Sequence, residues 1–209
     1  MNKRDDDYLA QVRRHLRDSL TFWSNKSKPE REREVVRAFF RCLGVSFAES
    51  DLLVGQPEPV DVAALSCRFQ VTEVLDACRQ RHREYRQRLQ DTEAAQSATE
   101  LREPWSTPVP MSNSELNHTV ASRLQNKTAH RDIDALVYMN LRGRFLLPLF
   151  EPEPFVDLGP LGWRSVSAVM VPYAVVLHVE AAAPVALRRA VGMPHMRWDR
   201  PDGWFEAGE

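Results

Sequence analysis

No apolar run in this chain approaches the ~18 residues that cross a bilayer. The first ten residues, MNKRDDDYLA, lack the apolar core of a secretory signal. Cysteine is scarce and odd in number, with three in 209 residues (Cys42, Cys67 and Cys78), so no disulfide framework is expected. Reduced thiols in a cytoplasmic protein, with no membrane partner, are the plain reading. Charge of one sign is also missing: 28 Lys and Arg stand against 29 Asp and Glu, for a net charge of −1. Any footprint for a polyanion must therefore be local. The chain has no GxGxxG, GxxxxGK[ST], GxSxG or HExxH, so nucleotide-cofactor redox and serine-hydrolase chemistry have no motif behind them. Cys67, Cys78 and His82 match no paired Cys-x-x-Cys pattern and have no evident fourth ligand. No internal repeat is visible.

What is present is enough for a real core, since 43% of residues are hydrophobic. One domain is expected, with an N-terminal helical extension over 1–26, a core over 27–140 and a C-terminal elaboration over 141–209. A helix over 7–24 follows an acidic run and carries Tyr8, Val12, Leu16, Leu20 and Trp23 on one side. A second helix has Ser27 and Glu30 at capping-box spacing, Pro29 in its first turn and Gly44 as its stop. At ~100° per residue, Glu32 falls in line with the apolar stripe of Val35, Val36, Phe39 and Phe40. An unpaired acid there is costly, and a metal ion or an Arg partner would resolve it.

The most informative stretch is Val60 to Glu73, VDVAALSCRFQVTE. It predicts two short strands joined by a tight turn near Ser66 and Cys67. Side chains alternate between faces, so Gln70 and Thr72 share one face while Phe69 and Val71 point into a core. Asp61 on the first strand, facing a polar i, i+2 pair on the second, can offer oxygen ligands to a hard divalent cation. Further on, a helix over 114–127 lines up Leu116, Val120 and Leu124, and 132–140 predicts a buried strand. Residues 45–54 predict an edge strand. Residues 164–180 predict two strands, or one bulged strand, interrupted by Pro172. Pro184 to Ala190 predicts a last short helix.

The arrangement resembles the PD-(D/E)XK nuclease superfamily, with Pro59-Val60-Asp61 in the place of its first hairpin element and Gln70-Val71-Thr72 in the place of its acid-x-Lys triplet. One extra residue precedes the Asp, Gln stands where an acid is usual, and Thr stands for Lys. More narrowly, the whole chain is similar to a small bacterial family of unknown function labelled endonuclease. The resemblance implies an α/β fold with a restriction-endonuclease-like core, α-β-β-β-α-β. It also implies Mg²⁺- or Mn²⁺-dependent hydrolysis of phosphodiester bonds. Glu32, Asp61 and Gln70 would then be metal ligands, with Glu32 as the family's helical acid. Asp61, Gln70, Thr72, Glu73 and Lys127 would be the catalytic candidates. Glu73 and Lys127 are substitutes for the missing lysine, Lys127 because it falls within about 20° of Leu116 on its helix.

A basic helix over 76–99 adds a local electrostatic signal. Arg79, Arg81, Arg83, Tyr85 and Arg88 are the expected nucleic-acid contacts, with Arg81, Tyr85 and Arg88 on one face at i, i+4, i+7. The partner would be nucleic acid, DNA ahead of RNA, and the chain could work as a homodimer. Loss of both acid and lysine from the triplet keeps a second reading open: a nuclease scaffold retained only to bind nucleic acid or a protein.

Overall fold

Alternating residues at 67–75 and the unbroken apolar run at 135–139 form the centre of a seven-stranded sheet in the computed structural model, which describes residues 3–77, 79–101, 107–147 and 155–197. The strands are β1 (Leu52–Val54), β2 (Val62–Ala64), β3 (Cys67–Leu75), β4 (Val109–Met111), β5 (Asp134–Asn140), β6 (Arg144–Leu146), β7 (Ser165–Met170), β8 (Tyr173–Val179) and β9 (Pro194–Met196). The helices are α1 (Lys3–Phe22), α2 (Lys28–Leu43), α3 (Arg81–Ala94), α4 (Asn113–Leu124) and α5 (Val185–Ala190). The large sheet runs β1-β2-β3-β5-β7-β8-β9, and β4 pairs with β6 apart from it. β3, β5 and β7 are parallel, whereas the flanking pairs are antiparallel. This is an α/β fold with a mixed sheet, and along the chain the order is α2-β1-β2-β3-α3-β4-α4-β5, so α3 and β4 stand between the hairpin and α4 where one helix was expected.

By contacts the chain divides into two compact units, Met1–Arg31 with Ala77–Thr107, and Glu32–Asp76 with Pro108–Glu209. The basic helix α3 therefore belongs with α1. In that first unit Arg13 donates through Nε and Nη2 to the Thr92 carbonyl at 3.1 and 2.9 Å, and Arg17 pairs with Glu93. In the second unit, each face of the sheet has its own helix. Leu116, Val120 and Leu124 of α4 pack with Ala135, Val137 and Met139 of β5 and with Val166 and Ala168 of β7. On the opposite face the rings of Phe39 and Phe40 in α2 pack against Phe69, with centroids 5.8 and 5.7 Å away.

Local signals set most element ends. Gly44 takes φ +68° and stops α2, a backbone state open to glycine at little cost. The turn between β2 and β3 holds Leu65 at φ 55°. Four expectations shift. The Ser27 hydroxyl donates to the Thr21 carbonyl at 3.0 Å instead of closing a capping box with Glu30. α3 starts at Arg81 and ends at Ala94, shorter than 76–99. α4 ends at Leu124, short of Lys127. β9 forms in a segment whose sequence carries no strand pattern. Cys78, Trp198 and Trp204 lie outside the described residues.

One buried carboxylate ties the parallel strands together. Asp134 has no solvent exposure, and it opens β5. It accepts from the Arg68 backbone N–H (2.9 Å), the Ser165 hydroxyl (2.8 Å) and the Arg164 Nε (3.0 Å). The hydrogen bond to Asp134 holds the Arg164 guanidinium above its ordinary pKa. A fully desolvated carboxylate survives because its lone pairs are filled and its charge is matched. Asp134→Ala should cost about 3–5 kcal/mol in a urea unfolding titration, because the half-buried Arg164 guanidinium then loses its carboxylate and the Arg68 N–H and Ser165 hydroxyl lose their acceptor. A loss under about 1 kcal/mol, the scale of a surface pair, would show that the strand starts are held by something else.

Candidate functional site

The hairpin places Asp61 where the β2–β3 ladder ends. Val62 pairs with Phe69, so the next residue back stands beside Gln70 and Val71. The Asp61 N–H donates to the Phe69 carbonyl at 2.9 Å, and its carboxylate accepts the Val71 N–H at 2.8 Å. In a regular antiparallel ladder a backbone carbonyl would take that amide. Here the side chain extends the ladder by one hydrogen bond after the β2 backbone bends away.

Strand register then decides which residues can meet. Gln70, Thr72 and Val74 pair with Ala135, Val137 and Met139, so they lie on the face that α4 covers. Phe69, Val71 and Glu73 pair with Asp134, Leu136 and Tyr138, on the face that α2 covers. Glu32 sits in α2 seven residues before Phe39, about 20° from it around the helix, and is buried. Glu32 thus lies on the Glu73 side of the sheet, and Gln70 and Thr72 lie on the other. The structure brings Asp61 beside Gln70 and separates both Gln70 and Thr72 from Glu32.

The remaining candidates are placed as follows. Thr72 is buried. Glu73 is half-buried and accepts from Asn140 Nδ2 at 2.9 Å, a contact that β5 supplies and that no local sequence pattern announces. Just beyond, Asp76 accepts the Arg142 N–H at 2.8 Å. Lys127 is exposed, three residues past the end of α4, so its helical projection towards Leu116 does not apply. Gln70 Oε1 is buried and has no hydrogen-bond partner. Among the described residues no three of His, Cys, Asp and Glu converge in a way that could hold a metal ion. Cys42 and Cys67 are buried, and burial is the main cause pushing their thiols up to about 11 and about 12. Both stay protonated near neutrality and make poor nucleophiles or ligands.

The basic helix turns one end of its expected binding face inward. Arg81 is buried, and its guanidinium lies 3.5 Å from the centroid of the Trp23 ring. The i, i+4, i+7 series of Arg81, Tyr85 and Arg88 continues at i+11 to Thr92, which is also buried. The two ends of that series, Arg81 and Thr92, face inward, with the Arg81 cation on an aromatic face, while Arg88 between them is exposed. Arg83, Arg86 and Arg88 are exposed and Tyr85 is half-buried, while Arg79 pairs with Glu84 at 3.1 Å.

Removing the Asp61 carboxylate should therefore act on stability first. Asp61→Ala leaves the Val71 amide without its acceptor and should cost about 1–3 kcal/mol, read as a lower melting temperature. Asp61→Asn keeps an oxygen in place and should cost less. Equal stability of all three chains would mean that the carboxylate does nothing for the ladder.

Comparison with known proteins places this geometry. Residues 4–199 match the model of a family described as "Putative endonuclease, protein of unknown function (DUF1780)". The chain belongs to that family. Among solved structures it is similar to a protein of unknown function from Pseudomonas aeruginosa strain PAO1, described as a member of a monooxygenase superfamily. The two share 26% identity over 94% of this chain and 97% of the other, with a TM-score of 0.61. No curated protein matches it.

Proposed function

We propose that this member of a family described as endonuclease binds nucleic acid on a nuclease-like scaffold whose hairpin residues serve the fold. One observation carries the reading: the Asp61 carboxylate is committed to the Val71 amide, with Glu32 and Gln70 on opposite faces of the sheet. That donor set does not fit a Mg²⁺ or Mn²⁺ ion as the superfamily resemblance would have it, so no catalytic step is built on one. Binding would rest on phosphate contacts from the exposed Arg83, Arg86 and Arg88, with Tyr85 alongside and Arg79 anchored by Glu84. Arg81 supports that helix from within through Trp23. DNA is the first partner to try and RNA the second. No described helix is long and apolar enough to cross a membrane.

A second reading, metal-dependent cleavage of phosphodiester bonds, is favoured by the family description and by one atom. The Gln70 amide oxygen is buried without a partner beside Asp61, and hard cations take such oxygens. A bound divalent ion would supply Lewis-acid stabilisation and an activated water. The monooxygenase description of the Pseudomonas neighbour has less behind it here. The sequence has no dinucleotide fingerprint.

Two measurements on the pure full chain separate these readings. For binding to duplex DNA, the Arg83→Ala, Arg86→Ala double variant should reduce the log–log salt slope by about two. An unchanged slope would remove α3 from the interface. With linear, nicked and single-stranded substrates in Mn²⁺ or Mg²⁺, the binding reading expects no cleavage. Cleavage that EDTA and Asp61→Asn both abolish would establish the enzyme instead.

A further inference from the structure

α3 has one packed side and one open side. Arg81 and Thr92 are buried near its two ends. At ~100° per residue they stand about 160° and 180° around the helix from Arg83. The line opposite them runs through Arg83, Gln87, Gln90 and Ala94, with Arg86 about 60° to one side, and all five residues are exposed. No acid lies on that line. The three acids of the helix flank it at about 80–100°, and each is engaged. Glu84 pairs with Arg79 at 3.1 Å, Glu93 pairs with Arg17 of α1 at 2.8 Å, and Asp91 accepts from the Gln87 amide at 2.9 Å. With Gln87 turned to Asp91, the open side presents the guanidinium groups of Arg83 and Arg86 and, further along, the amide of Gln90.

We propose that this open side enters the major groove of duplex DNA, where Arg83 and Arg86 hold phosphates and Gln90 reads adenine. This rests on the nucleic-acid reading above and adds base selection to it. The major groove of B-form DNA, about 12 Å wide, admits an α-helix, and a glutamine amide there can accept from adenine N6 and donate to N7. α3 has 14 residues, so it is about 21 Å long, and Gln90 stands about 10 Å along the axis from Arg83. One part of the helix can rest on phosphates while the next meets a base edge. Phosphate contacts fix register without carrying sequence information, so discrimination falls to the uncharged Gln90. Two other nucleic acids fit less well. The major groove of A-form RNA is too deep and narrow for side chains to read. Single strands bind by stacking on aromatic rings, and the rings of this helix, His82 and Tyr85, stand about 100° and 160° away from Arg83.

The test uses the full-length chain and a pool of DNA duplexes randomised over a central segment, with the bound fraction sequenced. A short enriched motif with adenine at a fixed position is expected. Gln90→Ala should lower discrimination at that position by about fivefold or more. It should leave the log–log salt slope unchanged, because no charge is removed. Gln90→Glu should change the preferred base there from adenine to cytosine, whose N4 amino group donates to a carboxylate. A residue with a merely structural role would not produce that switch. Gln90 is exposed, and equal melting temperatures would confirm that the variants fold. A bound pool with no enriched motif, or a motif that Gln90→Ala leaves intact, overturns base reading by α3. The salt slope of the Arg83→Ala, Arg86→Ala variant reports separately on the phosphate contacts. Tighter binding of duplex RNA or of single strands than of the selected duplex also overturns it. No binding to any nucleic acid would remove both base reading and the binding it rests on.

Discussion

The buried carboxylate of Asp134 is the constraint on which the arrangement of this molecule depends. It binds the backbone of Arg68 at the start of β3, the Ser165 hydroxyl at the start of β7 and the Arg164 guanidinium just before it. Three strand starts are thereby held to one register. A one-residue slip in a strand exchanges its faces, so the same contact decides which hairpin residues look towards α2 and which towards α4. Glu73 goes with α2, and Gln70 with Thr72 goes with α4. The separation of Glu32 from Gln70 follows from that register together with the helix each face carries.

Much of the scaffold could be read from local sequence because local physics decides it. Alternation marked β3, the unbroken apolar run marked β5, and Gly44 marked the end of α2. The order of elements around the hairpin followed. The side of the sheet on which a helix packs is different, since nothing within α2 states it. It emerges only when Phe39 and Phe40 meet Phe69 across 30 residues of chain. Glu32 was correctly aligned with the buried stripe of α2, yet the stripe faces the other side of the sheet from the polar pair it was expected to join. Lys127 failed for a smaller reason, because α4 ends three residues earlier and the projection ends with it. Asp61 lay where expected, but its carboxylate replaces a backbone carbonyl, a role that depends on a bend in β2 that residue types alone do not disclose.

The basic helix teaches a related lesson. A series of Arg81, Tyr85 and Arg88 looks like a surface for phosphates and bases, and the charge of Arg81 argues against burial. Trp23 reverses that by offering the guanidinium an aromatic face. Arg81 is thus an inward cation, and the outward arginines are Arg83, Arg86 and Arg88. Membership in a family described as endonuclease agrees with a partner made of nucleic acid. The chemistry of the hairpin argues separately, since its acid is engaged in holding strands together.

Diffraction from crystals soaked in Mn²⁺, recorded above the manganese absorption edge, tests that claim most directly. If Asp61 serves the ladder, the anomalous map is flat around it, and the carboxylate stays on the Val71 amide at the 2.8 Å found here. An anomalous peak at ligand distance from both Asp61 and the Gln70 amide oxygen, about 2.1–2.3 Å for a hard divalent ion, would contradict the account and make the hairpin a metal centre.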